Sequence, residues 1–342
     1  MMTDRIKLSL ATFFAFVSFL IMFGFMLLVF DQLLHRKFDK IAGLNYKGYR
    51  GEIRKEKASD ELRIAMFGGS PLWGYGVYYW EAIPHVLEKK LQHHVDSLGL
   101  NRRITVFNLG YNNEGIYAIY NNMQDFRFLD YDIAIIFTGY DDLGIGNTTN
   151  FRRENLFFKY FKYMPILPVY LSEKIMLLKS DGNLEDAYWG TNQKAQADVD
   201  HNLHVNALAN ILSVYNSTEN VLKRIGKVQK QYLVDFDLKN DKWAWMKYYL
   251  RQSIDYSVED GVQVLIITEP VFTEECLEQQ KIMKAVVDEA VDESGMVHFI
   301  DLGSRIELND DLLIDGVHFS TKGCKILADS MVNSILPWVE LK

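Results

Sequence analysis

Cysteine is scarce in this chain: two thiols, Cys276 and Cys324, in 342 residues. Two thiols cannot form a disulfide framework, and their spacing fits no metal-ligand pattern. Reduced, buried or half-buried thiols are the expectation, with a single bridge between them as the alternative. Proline is scarce too, six in all, which argues against Pro-rich linkers. There is no basic block: Lys plus Arg number 37 against 45 Asp plus Glu, for a net charge of −8. Nucleic-acid binding usually needs a cationic stripe, so no nucleic-acid partner is expected. What remains is ordinary globular composition, 49% apolar and 24% charged, which excludes a disordered or collagen-like chain.

One run is far from ordinary. Leu8 to Phe30 reads LSLATFFAFVSFLIMFGFMLLVF, 23 positions without a charge. As a helix it spans about 34 Å, against a hydrocarbon core of about 30 Å. A secretory signal has a shorter apolar region and a small-x-small cleavage site; here Val29, Phe30, Asp31 and Gln32 close the run. The expectation is an uncleaved single-pass anchor over residues 1–30, a juxtamembrane stalk over 31–60 and one soluble α/β domain over 61–342. Arg5 and Lys7 precede the run while Arg36, Lys37, Lys40 and Lys47 follow it. That count alone puts the C-terminal side in the cytoplasm.

Short apolar runs recur after residue 60: Leu62–Phe67, Ile104–Leu109, Asp132–Thr138, Val262–Thr268 and Val297–Asp301. Each is continuous rather than alternating, as for a parallel strand covered on both faces. Helical patterns at 80–98, 114–129, 242–258, 274–293 and 321–337 separate them. This alternation predicts a parallel sheet of about five strands between two helical layers. Roughly 120 residues between the third and fourth runs exceed what one crossover needs. A helical insertion at about 145–258 is expected there.

The residues able to do chemistry follow the strands. FGGSPLWGYG, Phe67 to Gly76, places Ser70 on a glycine-flanked turn behind the first strand, where ligands bind in open α/β folds. NLGYNNEG, Asn108 to Gly115, follows the second, and FTGYDDLG, Phe137 to Gly144, the third. LLIDGVHFSTKG, Leu312 to Gly323, leads into the last helix with Asp315 and His318 three apart. A carboxylate so placed can orient an imidazole and stabilise its protonated form. Each motif has a bland alternative: a simple turn for Ser70, a surface histidine for His318.

In order and position together, these blocks resemble the SGNH, or GDSL-like, hydrolase superfamily of serine esterases and acyl hydrolases. The resemblance covers about residues 60–142 and 260–340. It implies a flavodoxin-like three-layer α/β/α sandwich and a triad of Ser70, His318 and Asp315, with no cofactor and no metal. It also implies an oxyanion hole from Ser70, Gly110 and the position of Asp141. Two departures stand out. Gly-Gly-Ser replaces Gly-Asp-Ser, and Asp141 stands where the family has an Asn whose amide donates to the oxyanion. An ionised carboxylate only accepts hydrogen bonds and would repel that charge. Three outcomes stay open: Asp141 held protonated by burial beside Asp142, a reduced oxyanion hole helped by Asn112 or Asn113, or lost hydrolysis with ligand binding kept.

Aromatic residues Trp73, Tyr75, Tyr78, Tyr79, Trp80, Tyr111 and Tyr140 could line the pocket, or simply pack between helix and sheet. Trp73, Asn112, Tyr140 and Glu269 are the candidate substrate contacts. Anchored members of the superfamily commonly look like partners of cell-surface polysaccharide modification, adding or removing acetyl groups. The resemblance therefore implies a membrane-tethered carbohydrate esterase or acyltransferase, an extracytoplasmic domain in the cytoplasmic membrane, and a place beside envelope polysaccharide machinery. The competing readings are a catalytically impaired binding or scaffold component and a lipid-directed esterase.

Overall fold

A computed structural model describes residues 4–39, 44–143, 146–168, 170–171, 236–271, 273–290, 295–314 and 316–340. Five strands form one sheet: β1 (Glu61–Gly68), β2 (Arg103–Asn108), β3 (Ile133–Thr138), β4 (Gln263–Thr268) and β5 (Val297–Ile300). Their order is β2-β1-β3-β4-β5 and every pairing is parallel. This is the flavodoxin-like doubly wound order, whose ligand crevice lies at the carboxyl ends of the strands, where the winding reverses. Here that switch point falls between β1 and β3.

Successive side chains on a strand face opposite layers, so each strand feeds two cores. Ala65, Phe67, Phe107, Ala134, Ile136, Val264 and Ile266 pack against α4 (Ile116–Asp125), α7 (Ala244–Glu259) and α8 (Glu274–Ala290). Ile64, Met66, Ile104, Ile133, Ile135 and Leu265 pack against α3 (Ile83–Ser97) and α9 (Thr321–Glu340). The sandwich expected from alternating strands and helices is the one found. Both cysteines are free and buried. Of the expected insertion, residues 172–235 lie outside the described part; before them come α5 (Phe151–Glu154) and α6 (Leu156–Phe161).

The N-terminal helix α1 runs from Asp4 to Phe38. Within it, an 18-residue stretch has a mean hydropathy of 2.7 and is not buried in the protein, and the helix is long and apolar enough to cross a membrane. The segment expected as a stalk is packed instead. Leu34, Leu44, Tyr49 and Arg50 are buried, and Arg50 N–H donates to Asn108 O at 3.1 Å, on the last residue of β2. Asp31 and His35, at the end of α1, bind the chain around Met164. Charges here find partners inside the protein, which a charged, aperiodic sequence does not reveal.

Candidate active site

Ser70 opens the four-residue helix α2 (Ser70–Trp73) directly behind β1, with the preceding Gly69 extended. Strand therefore gives way to helix within two residues, and the hydroxyl stands at the carboxyl edge of the sheet. So short a helix leaves its last carbonyls without intrahelical partners. Asn108 Nδ2 donates to Trp73 O at 3.1 Å. The buried Arg50 guanidinium donates to Trp73 O, to Gly74 O at 2.8 Å and to Val77 O at 2.6 Å. These two side chains brace the serine turn. Sequence reading passed over Arg50 because nothing in its neighbourhood points to a partner so far along the chain.

His318 Nε2 lies 2.8 Å from Ser70 Oγ, across 248 positions of sequence. In the tautomer with its proton on Nδ1, the Ser70 O–H donates to Nε2. The loop before α9 is held by Ile314 N–H donating to His318 O at 2.8 Å and by the Leu313–Phe319 bridge. Tyr75 lies over the imidazole, ring centroids 4.3 Å apart and tilted by 31°. Asp315, expected to orient the imidazole, lies outside the described residues.

Asp141 sits in the 3-10 turn Tyr140–Asp142 after β3 and is half-buried. Its carboxyl accepts the Ser70 backbone N–H; burial, then the charges of Glu269, Asp142 and Glu114, hold it well above the usual carboxylate range. A Cβ on Gly69 would overlap Asp141 Oδ2. The carboxyl of Asp141 thus occupies the space that a side chain at position 69 would need.

The neighbouring acids are similarly placed. Burial pushes Asp142 up to about 7, opposed by hydrogen bonds from Ile116 N–H at 2.7 Å and Thr138 Oγ1 at 3.2 Å. Burial pushes Glu269 up to about 8, opposed by the Tyr140 N–H at 2.8 Å. Among the described residues, Glu114 alone of these acids meets a full counter-charge, the Arg152 guanidinium at 2.6 Å, with both side chains fully buried. Arg152 also donates to Leu109 O at 2.8 Å, which fixes the loop behind β2.

Other expected site residues fare unevenly. Gly110 N–H donates to Asn108 Oδ1 at 3.1 Å rather than facing open space. A Cβ on Gly110 would press into the backbone of α2, so glycine here permits close packing. Trp73 is not a pocket wall: it is 1% exposed, edge-on to the buried Tyr111 at 5.3 Å. Asn112 and Glu269 are buried, the latter turned to the Tyr140 backbone, whereas the Tyr140 ring is exposed at the edge of the site. Among the described residues, no three or more His, Cys, Asp or Glu side chains are grouped to hold a metal ion.

The sequence matches no protein-family model and no curated protein. Solved structures do resemble the chain, among them lipolytic hydrolases and acetyl xylan esterases. The lipase/acylhydrolase from Enterococcus faecalis aligns with 80% of this chain and 95% of its own, at 15% identity and a TM-score of 0.42. The psychrotrophic esterase EstA from a Pseudoalteromonas species aligns with 81% and 98%, at 11% identity and a TM-score of 0.42. A variant acetyl xylan esterase from Geobacillus stearothermophilus aligns with 80% and 94%, at 12% identity and a TM-score of 0.42. Likeness at this level says nothing of substrate, so the chemistry rests on the side chains of this chain.

Proposed function

We propose that the chain is a membrane-tethered serine esterase or acyltransferase acting on O-acyl groups of a carbohydrate. The 2.8 Å contact between Ser70 Oγ and His318 Nε2 carries this reading. Ser70 Oγ attacks the ester carbonyl while its proton passes to His318 Nε2. The tetrahedral adduct then collapses, and Nε2–H protonates the departing alcohol oxygen. A water, or the hydroxyl of an acceptor sugar, repeats these steps in reverse on the acyl-serine, giving hydrolysis or transfer. Asp315 is assigned to orient His318, and Tyr75 to hold the ring from its face.

The oxyanion is assigned chiefly to Asp141 in its neutral form. A carboxylic acid can accept the Ser70 N–H through one oxygen and donate O–H from the other, much as an Asn amide would. Burial among other acids favours that form. The exposed Tyr140 ring suits a sugar face, and the superfamily resemblance favours an extracytoplasmic domain serving envelope polysaccharide.

A fluorophosphonate probe tests the nucleophile. Labelling that vanishes in Ser70→Ala is the expected outcome, and absence of labelling at every pH would sink the esterase reading. A second reading, a non-catalytic polysaccharide-binding or scaffold component, draws on one observation. The Ser70 and Gly110 N–H groups are both occupied within the protein, leaving neither turned to a substrate.

A further inference from the structure

We propose that helix α6 is a second membrane contact, lying on the bilayer surface beside α1 and holding the Ser70 edge of the domain away from the lipid. The proposal rests on reading α1 as a membrane span. Leu156, Phe157, Tyr160 and Phe161 are 59–73% exposed, unusual for four large apolar or aromatic side chains in a six-residue helix. At 100° per residue they share an arc of about 140°. Phe158 turns the other way, into the core against Phe126, with ring centroids 5.1 Å apart. A contiguous exposed apolar face of this kind marks a contact site.

The position of α6 identifies the occupant as lipid. The apolar run of α1 ends at Phe30, and Asp31 follows at once. Asp31 accepts Ile166 N–H at 2.9 Å and the Tyr163 hydroxyl; His35 Nε2 lies 2.9 Å from Met164 O. Segment 163–167 is therefore fixed at the level where the chain leaves the hydrocarbon. Phe161 is two residues from Tyr163, at most about 7 Å of chain, which compares with an interfacial zone of about 5–7 Å per leaflet. Lys159 flanks the aromatic face, its Nζ 5.7 Å from the Tyr160 ring centroid, and aromatics with basic residues are what bilayer interfaces favour.

The same contacts orient the site. Lys162 pairs with Asp125 at 3.2 Å, at the end of α4 that leads on to the start of β3, whereas Ser70 and His318 lie at the carboxyl ends of the strands. With α6 on the lipid, the site faces away from the membrane, which fits a polymer in the surrounding phase better than an acyl chain within the bilayer.

Full-length protein in phosphatidylcholine–phosphatidylglycerol vesicles, labelled with bimane at one introduced cysteine, tests this with brominated lipids as quenchers. The variants are Phe161→Cys, Phe25→Cys within α1, and Leu277→Cys on α8 as the distant control; native thiols are buried. Quenching of roughly twofold or more at both 161 and 25, with none at 277, is expected for an interfacial helix. Quenching at 25 but not at 161 overturns the proposal alone. A blue shift at 161 without quenching would assign the face to a second copy of the chain, which also overturns it. No quenching at 25 would remove the membrane span and the proposal with it.

Discussion

Replacing Asp141 with Asn changes one group and almost no volume, and the structure sets what should follow. The Asn Oδ1 can keep the Ser70 N–H, while Nδ2 presents a permanent donor. In the native protein the donor exists only while the carboxyl is protonated, and the burial and the acids around Asp141 raise its titration well above the ordinary range. As pH rises through that raised pKa, the donor is lost and a negative charge takes its place. Losing one oxyanion donor costs about 10²–10³ in rate, some 2.7–4 kcal/mol. The native kcat/KM for a short p-nitrophenyl ester should therefore fall about tenfold per pH unit on that limb before levelling off. Asp141→Asn should be flat over the same limb and exceed the native enzyme by about 10²–10³ on the alkaline plateau. Below the limb the two should agree within about tenfold. Native activity that is independent of pH across this range, and lowered by the Asn exchange, would refute the neutral-acid assignment.

Gly69→Ala should force the Asp141 carboxyl out of its place, costing about 1–3 kcal/mol as overpacking; the double variant with Asp141→Ala should recover most of this in urea melts, and equal loss in both would show that the clash lies elsewhere. Glu269 binds its proton more tightly folded, near 8, than unfolded. Its contribution is thus full at acid pH and is lost as pH climbs from about 5 through 8, at up to about 1.4 kcal/mol per pH unit. Glu269→Gln should flatten that slope in thermal melts, and an unchanged slope would remove the assignment. Glu114→Gln leaves a fully buried guanidinium without its carboxylate and should cost about 3–5 kcal/mol; a loss under about 1 kcal/mol would mean that Arg152 finds another partner.

The strands were legible because a strand covered on both sides is predominantly apolar, and β1 to β5 fall within a residue or two of the five apolar runs. The long apolar helix was legible for a similar reason: no charge interrupts Leu8 to Phe30. Ser70 and His318 could be singled out because residues after a parallel strand, or just before the last helix, meet at one sheet edge. Their 2.8 Å approach still depends on how β1 and the α9 loop are folded together. Other features exist only in three dimensions. An aromatic residue serves a pocket wall and a core equally well, so Trp73 needed its neighbours to be placed. Arg50 and Arg152 meet partners tens of residues away, and no local pattern encodes such pairs. Residues 31–60 look like a solvated stalk until Asp31 and Arg50 are seen to satisfy backbone groups of the domain. The match between Gly69 and Asp141 is a matter of volume, set by the distance between two loops on neighbouring strands. Local periodicity carries burial and direction along the chain; which buried groups share a space is decided only when β1 and β3 are laid side by side.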